Sequence, residues 1–176
     1  MNTGKTLVMY RSKTGFTKNY ADWIAQELSC DLRDGRKVKA SDLAAYHTII
    51  FGGGMYMGSI LGVKFILKHT TQLQNKNLTV FGVGSSPAGQ KTVDEVIGRN
   101  FTASQLEKIQ FFYFPGGFDF ARLSSFNKFI MKNVIKMLEK KTEKTPEEQT
   151  MLDNYKNSCD QTSVENLAPL FAKLKE

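Results

Sequence analysis

A chain of 176 residues, 41% hydrophobic and 23% charged, has the length and composition to bury one core without disulfides or a structural metal. Its formal net charge of +7 points to an acidic partner, either a polyanion or an anionic lipid surface. No apolar run approaches the roughly 20 residues that cross a bilayer, which excludes a helical membrane span.

The opening stretch, MNTGKTLVMYRSK, lacks the long apolar segment and cleavage site of a secretory leader, so a cytoplasmic address is expected. Residues 6–10 (TLVMY) read as a first strand. The hydroxyl-rich stretch SKTGFT follows, and residues 17–28 then place Tyr20, Trp23, Ile24 and Leu28 on one helical face. A weaker strand is expected over residues 30–33, and a helical turn near Leu43 leads into the third strand, residues 48–52 (TIIFG). A helix over 60–73, a strand over 78–83, a shorter helix around 93–97 and a strand over 109–114 come next. A long segment, about 118–160, precedes a last helix over 164–174, and within it Thr145 and Pro146 have the order of an N-cap and first helical residue. Strands that are apolar without alternation need cover on both faces, and their alternation with helices predicts an open α/β architecture. The expectation is a doubly wound, five-stranded parallel sheet in one domain, residues 1–176, with a helical insertion near strand five.

In such sheets ligands sit at the carboxyl ends of the strands, so the loops after strands one, three and four are read for chemistry. In SKTGFT, Ser12, Thr14 and Thr17 supply hydroxyls, Gly15 lets the backbone approach closely, and the helix dipole favours an anion. The plainer reading is that Thr14 or Thr17 only caps the helix. Gly4, Lys5 and Thr6 imitate the end of a nucleotide-binding P-loop, but they precede a strand instead of following one, and no GxGxxG is present. The stretch GGGMYMGS, residues 52–59, is expected as a loop whose glycines expose main chain to a flat ligand, with Met55, Tyr56 and Met57 offering stacking surfaces. GSSPAG, residues 84–89, is again small and rich in donors. Cys30 and Cys159 are far apart, and His47 and His69 lack neighbours at ligand spacing, so no metal site is expected.

A strand followed by SKTGFT, then IIFGGGMYMG, then VFGVGSS, resembles the flavodoxin-like FMN proteins, with a match running in order over most of the chain. The resemblance implies strand order 2-1-3-4-5 and FMN as cofactor. Ser12, Thr14, Gly15 and Thr17, with backbone N–H of Lys13 and Phe16, would hold the phosphate. Gly53, Met55, Tyr56 and Met57 would flank one side of the flavin, and Gly84, Ser85 and Ser86 the other. Main chain of Gly52, Gly53 and Gly54 would lie near the reactive flavin nitrogen, and no side chain would be a catalytic acid or base. Electron-carrying flavodoxins are acidic and often present a tyrosine where this chain has GSSPAG. KFILKHTTQL and FDFARLSSFNKFIMKNVIKML are more similar to the branch of menaquinone-dependent protoporphyrinogen IX dehydrogenases. That branch implies oxidation of a porphyrinogen with electrons passed to a membrane quinone. The competing reading is an electron carrier without an organic substrate, which would need an acidic docking face.

The insertion carries its own signal. Phe126, Ile130, Val134 and Leu138 recur every four residues, and Arg122, Lys128, Lys132, Lys136, Lys140 and Lys141 face a single acid, Glu139. Either this basic amphipathic helix lies on an anionic membrane surface at the inner face of the membrane, or its apolar stripe packs inward and the lysines meet water. Both hold if Met131 and Ile135, off that stripe, stay exposed. No motif for specific nucleic-acid recognition is present.

Overall fold

The structure, a computed structural model, describes residues 4–86 and 88–175, without the side chain of Glu147. In chain order it runs β1 (Thr6–Arg11), α1 (Phe16–Glu27), β2 (Asp31–Asp34), a 3-10 helix (Ala40–Ala45), β3 (Thr48–Tyr56), β4 (Ser59–Ile60) and α2 (Val63–Lys68). β5 (Asn77–Gly84), α3 (Gln90–Asn100), α4 (Ala103–Leu106) and β6 (Ile109–Pro115) follow. Then come β7 (Gly117–Phe118), α5 (Ser125–Glu139), α6 (Pro146–Lys156) and β8 (Cys159–Asp160), and after a 3-10 turn (Val164–Leu167) the chain ends in α7 (Ala168–Leu174).

Two compact units result, one of residues up to 116 together with those from 162 on, the other of residues 117–161. In the first, parallel strands pair in the order β2-β1-β3-β5-β6, and the two-residue β4 folds back antiparallel on β3. Counting parallel strands alone, this is the expected order 2-1-3-4-5. Register places Arg11 beside Gly53, Gly53 beside Gly82, and Gly84 beside Pro115. Because side chains alternate across a strand, each apolar run feeds two cores. Leu7, Met9, Ile49, Phe51, Leu78 and Val80 face α2 and α3, where Val63, Ile66 and Val96 complete one core. Val8, Ile50, Phe81, Val83 and Phe114 face α1 and α7, and meet Tyr20, Ile24, Leu167 and Leu170 in the other. Helices thus cover both faces of the sheet.

Two helices differ from expectation. The helix predicted over 60–73 shortens to α2, because Ile60 pairs with Met55 in β4 and Gly62 sits at φ 81°, where a helix cannot begin earlier. At its far end the Thr70 hydroxyl donates to the Leu67 carbonyl, one of the local bonds by which threonine competes with a helical continuation. The helix predicted around 93–97 instead extends over the eleven residues of α3.

The unit 117–161 is held by pairing of β7 with β8 and by α5 against α6. Ile135, Leu138 and Leu152 are its buried residues, with Met131, Val134 and Tyr155 packed against them. Thr145 and Glu148 form a reciprocal cap at the start of α6, with Pro146 as its first residue, as the sequence order predicts. The condition that Met131 and Ile135 stay exposed is not met: Ile135 is buried and Met131 packs beside it, whereas Phe126 and Ile130 of the four-residue repeat lie open.

Candidate cofactor site

SKTGFT leaves β1 at its carboxyl end and turns into α1. Gly15 is the N-cap residue, at φ 100° and ψ −26°, a conformation that L-residues with a Cβ adopt only at a cost. The N-cap position falls on neither Thr14 nor Thr17. Ser12 Oγ accepts the Gly15 N–H at 3.0 Å, which closes the turn and aims the loop across the positive end of α1. Phe16 is buried in the core beneath α1, and Thr17 is almost fully buried.

The stretch 52–59 is not the loop expected from its glycines. Gly52, Gly53 and Gly54 continue β3, paired with β1 on one side through Gly53 and with β5 on the other. Glycine is needed there for space. A Cβ on Gly52 would stand 2.1 Å from Phe81 Cζ, one on Gly53 2.4 Å from Ile60 Cγ2 and 2.7 Å from the Leu61 carbonyl, and one on Gly54 3.2 Å from Thr17 Oγ1. Gly52 and Gly53 are therefore packed inside the sheet, while Gly54 meets Thr17. Only Met57 and Gly58 form a turn, with φ 50° and 80°, the signs of a two-residue type I′ hairpin.

Three contacts draw the loops together at the carboxyl edge. Lys13 Nζ lies 3.8 Å from the centroid of the Tyr56 ring, a cation–π contact between the first loop and the end of β3. Thr17 meets Gly54, and Met55 spreads over Gly82 and Gly84, where added Cβ atoms would lie 3.2 Å from its Sδ and 3.0 Å from its Cγ. Ser85 and Ser86 follow Gly84 as exposed residues, and Pro87 of GSSPAG lies outside the described residues. Met57 is 85% exposed at the hairpin tip and is not drawn into these contacts. The arrangement offers hydroxyls and a helix N-terminus to an anion, with thioether and aromatic surface beside it. That donor set fits a flat ligand with a phosphate tail.

A profile of the flavodoxin domain matches residues 7–145. The chain belongs to the flavodoxin-domain family. No match was found among curated proteins. Among solved structures, the WrbA-like flavodoxin of Agrobacterium tumefaciens is similar at 18% identity and TM-score 0.42, with 88% of this chain and 94% of that one covered. A flavoprotein of Lactobacillus acidophilus in complex with FMN gives 16% identity and TM-score 0.42, covering 64% and 93%. Flavodoxin 2 of Bacillus cereus gives 21% and 0.39, covering 63% and 85%.

Two residues of this flavodoxin-domain protein that brace the site were not singled out from sequence. Asn100, the last residue of α3, donates to the Gly58 and Val96 carbonyls at 2.9 and 2.8 Å and accepts the Ile60 N–H at 2.8 Å. It clamps both sides of the hairpin turn that carries Met57. Asn100→Ala leaves those groups without their partner and is expected to cost about 2 kcal/mol, or about 4–8 °C in thermal midpoint. Nothing in the sequence around it signals this role.

Tyr113 in β6 donates its hydroxyl to the Ser86 carbonyl at 3.0 Å, tying down the loop after β5. Here a signal existed: one hydroxyl-bearing ring in the buried run IQFFYF needs a partner. Burial pushes the Tyr113 hydroxyl up to about 12 from the ordinary 10. The folded state therefore keeps the proton longer than the unfolded chain does. The stabilisation is present below pH about 10 and is lost as pH rises toward about 12. Denaturation curves from pH 9 to 11.5 should fall more steeply for the native chain than for Tyr113→Phe, and parallel curves would exclude this account.

A cavity of about 1100 Å³ opens at the other, amino edge of the sheet, lined among others by Lys5, Thr48, Lys76, Asn77 and Lys108. It is remote from the loops that follow β1, β3 and β5. Among the described residues no helix is long and apolar enough to cross a membrane.

Proposed function

We propose that the chain binds FMN at the carboxyl edge of its sheet and is a flavin-dependent oxidoreductase, with a porphyrinogen as substrate and a membrane quinone as electron acceptor. The observation that supports this most is that Lys13 and Thr17 of SKTGFT meet Tyr56 and Gly54 while Met55 meets Gly84, at one edge of a flavodoxin-domain sheet. FMN supplies the hydride and electron chemistry when bound.

The chain's own residues bind and orient. Ser12, Thr14 and Thr17 offer hydroxyls to the phosphate, with main-chain N–H of Lys13 and Phe16 and the positive end of α1. Tyr56 offers the ring one wall, with Met57 at its rim, and Ser85 and Ser86 offer the other, while Met55 packs on Gly82 and Gly84 between them. Gly52 and Gly53 act from within the sheet, where the absence of side chains lets Phe81 and Ile60 close up beneath the site. The ammonium of Lys13 sits against Tyr56, so positive charge lies beside the flavin position, where it favours the reduced, more anionic cofactor. The excess of positive charge on the chain speaks against a carrier that docks through an acidic face.

Purified protein is expected to be yellow or to take up added FMN in equilibrium dialysis; failure of both would remove the flavin reading. Anaerobic turnover of protoporphyrinogen IX with menaquinone in liposomes tests the substrate. FMN binding without that turnover would leave the carrier reading ahead.

A further inference from the structure

Within the unit 117–161, α5 presents two different apolar faces. Met131, Val134, Ile135 and Leu138 pack in that unit's own core with Leu152 and Tyr155 of α6. Phe126, Phe129 and Met137 are instead 69%, 67% and 65% exposed, and Ile130 is 38% exposed. At 100° per residue these four fall within an arc of about 100° along some three turns of helix, interrupted at Asn133, whose side-chain amide donates to the Phe129 carbonyl. Isolated apolar residues on a surface mean little, but two phenylalanines, an isoleucine and a methionine in one row form a patch that calls for a partner.

The border of the stripe carries the charge. Lys132 and Lys136 are exposed along one side of it, and Lys140 is exposed at its C-terminal end. Lys128 and Lys132 sit 5.9 and 6.0 Å from the Phe120 ring, so their charges stay at the helix surface. Glu139 is the one acid of α5, while Glu148 and Asp153 belong to α6, where they engage Lys141 and Gln149. An exposed convex ridge, apolar at its crest and basic along its flank, fits a soft planar surface of negative charge better than a groove on another protein.

We propose that α5 lies in the surface of an anionic membrane, with Phe126, Phe129, Ile130 and Met137 below the headgroups and Lys132, Lys136 and Lys140 against lipid phosphates. This deepens the quinone reading by naming the surface through which the protein meets the bilayer. Its measurement reads neither a flavin signal nor turnover, so its failure and the failure of that reading are separate results.

The test is cosedimentation of the intact protein, with and without added FMN, with phosphatidylcholine vesicles and with vesicles that also contain phosphatidylglycerol. Binding is expected only to the anionic vesicles, and it should weaken as salt is raised. The double variant Phe126→Ser with Phe129→Ser is expected to bind at least about tenfold more weakly. Lys136→Gln and Lys140→Gln should each cost about fivefold. All four side chains are exposed, so thermal midpoints should match the parent chain, and variants that melt early are replaced by Phe129→Gln alone. Absence of cosedimentation with anionic vesicles would overturn the proposal. So would a double variant that binds like the parent, or light scattering that shows the parent to be a dimer which the double variant splits, since the stripe would then be an interface between copies.

Discussion

Replacing Gly53 by alanine is expected to lower the thermal midpoint by about 6–12 °C, through a loss of about 3 kcal/mol. The added methyl would stand 2.4 Å from Ile60 Cγ2 and 2.7 Å from the Leu61 carbonyl oxygen, and Ile60 is only 3% exposed. Neither neighbour is the free end of a flexible side chain. The Leu61 N–H donates to the Gly54 carbonyl at 3.0 Å and the Ile60 N–H is held by Asn100, so moving β4 aside breaks bonds on both of its residues' flanks. The hairpin bearing Tyr56 and Met57 would shift with it, and FMN affinity should fall in the same variant. Gly98→Ala is the matched control. It adds the same methyl inside α3, where nothing lies within 4 Å, and should stabilise by about 0.5–1 kcal/mol through helix propensity. Equal midpoints for Gly53→Ala and the parent would mean that β4 does not pack on β3 as described.

The parallel sheet was legible because its strands are apolar at successive positions: Leu7, Val8 and Met9, or Ile49, Ile50 and Phe51, can only be buried together if both faces are covered. The first loop was legible for a similar reason, since Gly15 and its neighbouring hydroxyls follow directly from the end of such a strand. The glycines of β3 were not. A glycine that frees a loop and a glycine that makes room for Phe81 look alike in sequence, and the distinction lies in residues that fold against them from up to about forty positions away. Asn100 was hidden for the same reason, its partners at Gly58 and Ile60 being some forty residues distant.

The face of α5 was misread through arithmetic. Residues four apart advance 400°, so each step drifts by about 40°, and Phe126 and Leu138 end about 120° apart. A repeat of four over three turns is a spiral, not a face. Packing against Leu152 and Tyr155 selects Met131, Val134, Ile135 and Leu138, and it leaves the start of the spiral, Phe126 and Ile130, on the outside. A single apolar helix pattern thus divided into a structural stripe and an open one, and only the second is available for a partner.

Gly15→Ala is expected to weaken FMN binding about ten- to a hundredfold, with a stability loss of about 1–2 kcal/mol in the cofactor-free chain. Gly15 holds φ 100° at the N-cap of α1, and its N–H and carbonyl are both engaged, with Ser12 Oγ and with the Asn19 N–H at 3.0 Å each. An alanine relieves its strain only by rotating the peptide units around it. That rotation redirects the amides at the head of α1 and breaks the Ser12 bond that shapes the turn. A phosphate bound there would lose one or two charge-assisted hydrogen bonds, each worth about 1.5–3 kcal/mol. Ser12→Ala separates the two causes, because it removes a hydroxyl and the turn-closing acceptor while leaving Gly15 free of strain, and about tenfold weaker binding is expected. Riboflavin, which has the ring but no phosphate, supplies the decisive comparison in a fluorescence-quenching titration. Its affinity should change little in either variant. If riboflavin and FMN weaken equally, or if FMN binds Gly15→Ala as it binds the parent, then SKTGFT is the turn of a strand into a helix and the phosphate lies elsewhere.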